Sequence, residues 1–246
     1  MRSRRRPSPL IAFSGMDGSG KSTQIGLLRE RLENRGRQTQ VVWTRLEWTT
    51  LWEASGLLER LAAPINWVLG GRTTGHRESG EPVGAAGFSA PAPPTSRAAR
   101  LRRRSAVLTH LWVLVVAIVH ARHQRKAVRS AATPGTVVIC DRYTLDAAVG
   151  LRRRYGDQRN FALQVKLLEL LSPRPNLAWH VDVSPAVARS RKEEGFSAEE
   201  LDQIATLYRQ ERARLGWRRL DGELPAAALG AEVMRAIDSE CETRAR

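Results

Sequence analysis

Eight consecutive residues carry the strongest chemical signal in the chain. Gly15-Met16-Asp17-Gly18-Ser19-Gly20-Lys21-Ser22 fits G-x-x-x-x-G-K-[ST], the phosphate-binding loop. Glycines at 15, 18 and 20 let the backbone curl, so that N–H groups from Gly15 through Ser19, Gly20 and Ser22 face polyphosphate oxygens. The positive end of a following helix adds to that field. Lys21 should reach the β- and γ-phosphates, the Ser22 hydroxyl should ligate Mg²⁺, and Thr23 should add a phosphate contact. The ligand with this chemistry is a nucleoside triphosphate with Mg²⁺.

A second constellation lies at Val137–Tyr143 (VVICDRY), an apolar run that ends in an acid and an arginine. A parallel sheet places its active-site crevice at the carboxyl ends of its strands. There Asp141 would hold the magnesium shell or orient the attacking oxygen, and Arg142 would grip a phosphate with parallel hydrogen bonds. Asp182, which closes another apolar run, is the rival for the magnesium-side acid.

Alternating strand and helix signals must position these groups, and the alternation predicts an α/β protein with a parallel five-stranded sheet flanked by helices. Strands are predicted at Leu10–Ser14, Gln40–Thr44, Thr136–Cys140, Leu177–Val183 and near Trp217–Leu220. Helices are predicted at Lys21–Asn34, Thr49–Leu69, Ala106–Ala121, Tyr143–Tyr155, Phe161–Leu171, from Ser184-Pro185, at Ser197–Leu215, and from Pro225. Gly70–Arg104 has no apolar periodicity and reads as a disordered insertion within one domain spanning 8–240, after a basic flexible tail at 1–7.

Length and composition agree with one globular domain. The chain has 246 residues, 42% of them hydrophobic, enough for a sizeable core and too many for a wholly disordered chain. Its formal charge of +15 is mostly arginine, concentrated in the tail and in 70–104. No nucleic-acid motif accompanies that charge, so it reads as composition and not as a nucleic-acid footprint. Ala106–Ala121 is apolar but shorter than the ~20 residues of a membrane span, so a buried core helix is predicted. Only Leu10–Phe13 are continuously apolar after the first arginines, which is no signal-peptide pattern. Cys140 and Cys241 cannot make a disulfide framework or a four-ligand zinc site, and a reducing, cytoplasmic setting follows.

Four stretches in order, FSGMDGSGKST (13–23), VVWTR (41–45), VVICDRY (137–143) and PNLAWHVDVSPAVARSR (175–191), resemble the thymidylate kinase-like branch of the P-loop nucleoside monophosphate kinases. The resemblance implies ATP- and Mg²⁺-dependent transfer to a nucleoside monophosphate, dTMP to dTDP, in the cytoplasm, with a homodimer as the usual assembly. It also implies that Asp17 contacts the acceptor sugar, that Arg45 and Arg142 bind the acceptor phosphate, and that Arg122 contacts the base. Some family members carry an arginine inside the phosphate loop. Met16–Ser19 has none, so the charge over the γ-phosphate would come from a short lid after Arg189, with Arg191 or Lys192 closing on it.

The pattern also departs from the family. Leu46-Glu47-Trp48 follows Arg45 where E-P-G-G is usual, and the aspartate-arginine-tyrosine triplet is followed by Thr144-Leu145-Asp146-Ala147-Ala148-Val149 where the family pattern has a serine and later an aromatic-glutamine pair. Asp146 would favour an acceptor offering hydroxyls or a cation. Trp112 is the only aromatic upstream of Arg122 in that helix. Two alternatives therefore stay open: a kinase for a nucleoside or phosphosugar, and a nucleotide-binding regulatory protein with little transfer activity.

Overall fold

The computed structural model describes residues 8–44, 105–156, 161–192 and 196–245, with side chains described through 240. These belong to one compact unit, built from Met1–Leu46 and Pro94–Arg246. The basic tail at 1–7, the helix expected at Thr49–Leu69 and the insertion at 70–104 lie outside the described residues.

The strands are β1 (Leu10–Ser14), β2 (Gln38–Trp43), β3 (Thr136–Asp141), β4 (Leu177–Asp182) and β5 (Arg218–Asp221). They form one parallel sheet in the order β2-β3-β1-β4-β5. The helices are α1 (Lys21–Asn34), α2 (Ala106–Ala131), α3 (Thr144–Tyr155), α4 (Ala162–Leu171), α5 (Pro185–Arg191), α6 (Ala198–Leu215) and α7 (Ala226–Ala245).

Central β1 is buried along its whole length, which is why it reads as an uninterrupted apolar run. Its pleat sends Leu10 and Ala12 to one face and Ile11 and Phe13 to the other. The first face packs against residues of α3 and α6, including Val149, Ile204 and Tyr208. The second packs against α1 and α7 through Ile25, Leu28, Val233 and Ile237, with Phe13 stacked on Trp179 at 5.3 Å. Edge strand β2 is largely exposed, and its QTQ start keeps that open edge polar.

Caps set several boundaries. At the start of α6 the Ser197 hydroxyl accepts from Glu200 N at 3.2 Å, and the Glu200 carboxylate accepts from Ser197 N at 2.9 Å. The same helix stops at Gly216, which takes a left-handed φ of 67°. Ser184 and Pro185 start α5 as expected.

α2 differs from its predicted bounds. It runs on past Ala121 to Ala131, because residues 122–131 are good helix formers and nothing breaks the helix before Pro134-Gly135. At 26 residues it is long and apolar enough, by length and composition, to cross a membrane. Instead of burying it all round, the structure covers a stripe through Val113, Val116, Ala117, His120, Ala121, Gln124 and Val128, while Val107 and Leu111 stay exposed.

This topology places the site. From β1 the chain passes to β2 and β3 on one side, then to β4 and β5 on the other, so the direction of winding reverses beside β1. The crevice falls at the carboxyl ends of β1 and β3, which pair through Phe13 and Asp141.

Candidate active site

The phosphate loop leaves β1 and enters α1, with Gly20 as the helix N-cap at φ 89°. Gly18 has φ 77°, and a Cβ there would lie 2.3 Å from the Ala188 carbonyl oxygen. A Cβ on Gly15 would lie 2.6 Å from the Val181 oxygen. These glycines therefore do two jobs: they take positive φ, and they let the loop seat against β4 and α5.

Lys21 is buried, and its ammonium donates to the carbonyls of Gly15 at 2.7 Å and Met16 at 2.6 Å. Burial, helped by repulsion from Arg142, lowers its pKa from 10.5 to about 8, against the opposing pull of Asp146, Asp17 and Asp141. The Lys21 charge therefore titrates close to neutral pH.

Lys21 opens into a cleft of about 490 Å³ lined also by Asp17, Gly18, Gly20, Ser22, Thr23, Trp43, Asp141, Arg142, Arg191 and Lys192. A larger hollow of about 870 Å³ runs along β2, but it contains neither the loop nor Asp141, so size does not locate the chemistry.

Asp141 ends β3 beside the loop. Its Oδ1 is buried with no hydrogen-bond partner, and burial holds its carboxyl above the ordinary value. An unsatisfied carboxylate oxygen on a residue that lines the same cleft as Ser22 suits a hard cation. Among the described residues no group of three or more His, Cys, Asp or Glu could hold a metal alone. Ser22 and Asp141 therefore fit Mg²⁺ delivered on a triphosphate, which ordinarily needs few protein ligands. The rival acid Asp182 is engaged elsewhere, accepting from Arg219 Nε at 2.8 Å and Arg209 Nε at 3.4 Å.

Arg142 is the centre of the opposite wall. Its backbone is left-handed at φ 68°, unusual for a non-glycine residue, and its N–H donates to the Phe13 carbonyl at 2.8 Å. The Thr44 hydroxyl donates to its carbonyl. The guanidinium is 5% exposed and bridges two carboxylates, Asp17 through Nη2 and Asp146 through Nη1, the latter at 3.1 Å. Burial alone would pull its pKa down, but the surrounding carboxylates, Asp146 foremost, hold it above the ordinary value.

Of the residues expected here, the loop, Asp17, Asp141, Arg142 and Arg191 share the cleft. Arg191 donates to the Gly222 carbonyl at 2.8 Å, and 193–195 of the lid lie outside the described residues. Arg45 lies outside them too. Asp146 is turned inward: one oxygen accepts from Arg142 and from the Tyr208 hydroxyl at 2.8 Å, the other from Tyr143 N at 3.0 Å. Arg122 is not brought to the cleft; it is exposed and lines a separate cavity with Arg125, Lys126 and Arg129. Two positions before Arg122, His120 belongs to the buried stripe of α2. Both of its ring nitrogens lack partners, and burial lowers its pKa to about 3, leaving it neutral.

Sequence reasoning missed Trp43, Tyr208 and Gly222. Only Gly222 carried a local signal, since Asp-Gly after a strand marks a turn. A Cβ there would lie 2.9 Å from the Ser19 carbonyl oxygen, so the β5 turn closes directly onto the phosphate loop.

A parallel five-stranded sheet flanked by helices, with a phosphate loop after β1 and an acid-arginine pair after β3, defines an α/β P-loop kinase fold. No family model matches the chain. Individual proteins do. A probable thymidylate kinase of Pyrobaculum aerophilum is 24% identical over 92% of this chain and 95% of its own length. Thymidylate kinases of Symbiobacterium thermophilum and Citrifermentans bemidjiense are 29% and 26% identical, covering 82% and 87% of this chain and 74% and 80% of their own lengths. Over most of its length the chain is similar to thymidylate kinases.

Proposed function

We propose that this protein transfers the γ-phosphoryl group of ATP to a nucleoside monophosphate, converting dTMP to dTDP in a Mg²⁺-dependent reaction. One observation carries the proposal: Lys21, Asp141 and Arg142 converge on a single cleft from the ends of two adjacent strands. The names of the relatives support the choice of acceptor.

On this reading the loop amides and Lys21 hold the β- and γ-phosphates, and Ser22 and Asp141 hold the metal. Mg²⁺ supplies positive charge that offsets the charge developing on the transferred group. An oxygen of the acceptor phosphate bonds to the γ-phosphorus as the bridging bond to ADP breaks. Arg142 grips the acceptor phosphate and, with Asp17 freed onto the acceptor sugar, keeps that oxygen in line. Arg45 adds a second grip on the phosphate. Arg191 and Lys192 bring lid charge to the γ-phosphate and exclude water. Almost all of the catalysis is positioning and electrostatics, as phosphoryl transfer requires.

We place the enzyme in the cytoplasm, as a homodimer without a membrane span. Cys140 is a free, buried thiol, and a chain with two cysteines builds no disulfide framework, which suits a reducing compartment. Exposed Leu108, Leu111, Leu163 and Leu170 supply apolar surface for a dimer.

A coupled ADP-release assay across dTMP, dUMP, CMP, nucleosides and phosphosugars tests the proposal. Turnover is expected with dTMP foremost. Turnover only with a nucleoside or sugar, or ATP binding without transfer, would contradict it.

A further inference from the structure

Arginine side chains are long, and a guanidinium that must meet one phosphate oxygen in one direction has to be held by something. In this protein the restraint on Arg142 is a side-chain chain that runs through the core. Asp146 is 4% exposed, and both carboxylate oxygens are engaged within the protein. Its Oδ2 is tied to Tyr143 N, closing the first turn of α3, while its Oδ1 receives both Arg142 Nη1 and the Tyr208 hydroxyl. Tyr208 comes from α6, 62 residues further along. It is fully buried, and its ring lies parallel to that of His180 in β4, with centroids 5.3 Å apart and 6° between planes. The ring therefore cannot swing, and the hydroxyl has one address.

We propose that Tyr208 is a positioning residue for the acceptor phosphate: through Asp146 it fixes Arg142, so that the guanidinium nitrogen now paired with Asp17 is already aimed when the acceptor takes that aspartate's place. Asp146 is then no ligand for an acceptor hydroxyl or cation but the anchor of the arginine. Preorganisation of this kind lowers the ordering cost of binding. A serine at 146 could accept from Tyr143 N, but it could not hold a guanidinium and a phenol together with a full negative charge. α6 begins just beyond the lid segment, so the helix that follows the lid on the donor side also steadies the arginine on the acceptor side.

The proposal rests on the nucleoside monophosphate kinase reading, and the experiment separates the two. Tyr208→Phe removes one hydroxyl and keeps the ring against His180. Full steady-state kinetics on the intact chain should show the dTMP KM raised roughly 5- to 30-fold, less than the roughly 10- to 150-fold of losing a direct hydrogen bond to a charged group because the effect passes through Asp146, with the ATP KM unchanged. Arg142→Lys should already have weakened the acceptor grip, so adding Tyr208→Phe to it should cost much less than it costs in wild type. A variant that lowers kcat with both KM values intact, or raises both equally, is merely less folded and overturns the proposal. Asp146→Asn provides a second route should Tyr208→Phe fold poorly: it keeps the size and loses the charge, and the same one-sided rise is expected. If wild type phosphorylates no monophosphate, the underlying reading fails. If wild type is active and both variants leave the dTMP KM unmoved, the positioning role alone fails.

Discussion

The two walls of the cleft are built on opposite plans. The donor wall is backbone: eight consecutive residues supply the amides, the glycines and the ammonium, and β4, α5 and the β5 turn seat them. The acceptor wall is side chain: Asp17 from the phosphate loop, Arg142 and Asp146 from the turn that opens α3, and Tyr208 from α6 form one network around a single guanidinium. Damage to the first should weaken everything that depends on the triphosphate. Damage to the second should fall on the acceptor alone.

Lys21→Ala should give the largest effect, lowering kcat by at least ~100-fold if its charge serves the transition state. Measured by the ADP-release assay with saturating ATP, a loss confined to the ATP KM would show that Lys21 only binds.

Arg142→Lys should come next. An ammonium cannot bridge Asp17 and Asp146 and still present paired donors, so kcat/KM for dTMP should fall roughly 10- to 150-fold. The contrast between the walls would break if the ATP KM rose as much as the dTMP KM.

Gly18→Ala probes the donor wall through its backbone. The added methyl meets the Ala188 carbonyl oxygen at 2.3 Å on a residue with φ 77°. ATP affinity by calorimetry should fall about 5- to 100-fold, matching one to three kcal/mol of local strain. Near-normal affinity would mean that the loop has slack.

The smallest effect is a pH dependence. Lys21 titrates at about 8 against 10.5 in an unstructured chain. Its cationic form is lost as pH rises through that value, so kcat/KM for ATP should fall above about pH 8. Stability has the opposite sign. Between the two pKa values the unfolded chain binds more protons, so the folded state should gain stability as pH rises from about 8 toward 10.5. Chemical denaturation at several pH values checks this, and Lys21→Met should erase that gain.

The same division decides what could be read in advance. The loop, the strand acid Asp141 and the alternating elements are local patterns, and the sequence shows them directly. Strand order is not local, because any right-handed arrangement of the same units satisfies the alternation. Asp146 was visible as a carboxylate near the acceptor, but its role depends on Tyr208, 62 residues away, and no spacing rule links them. The resemblance points to Arg122 for the base contact because it is an arginine late in the helix before β3. The helical phase of α2 instead puts Arg122 outside and His120 inside, and phase is set by which stripe packs, not by residue type. The far end of α2 was missed for a related reason: charged residues at 122–131 end an apolar run without ending a helix.

The most direct test is phosphorus NMR of the intact protein with ATP, Mg²⁺ and dTMP. Resonances of ADP and dTDP growing in equal amounts, and absent with Lys21→Ala, are the predicted result. ATP that persists unchanged beside dTMP, or decays to ADP and free phosphate alone, would contradict the account.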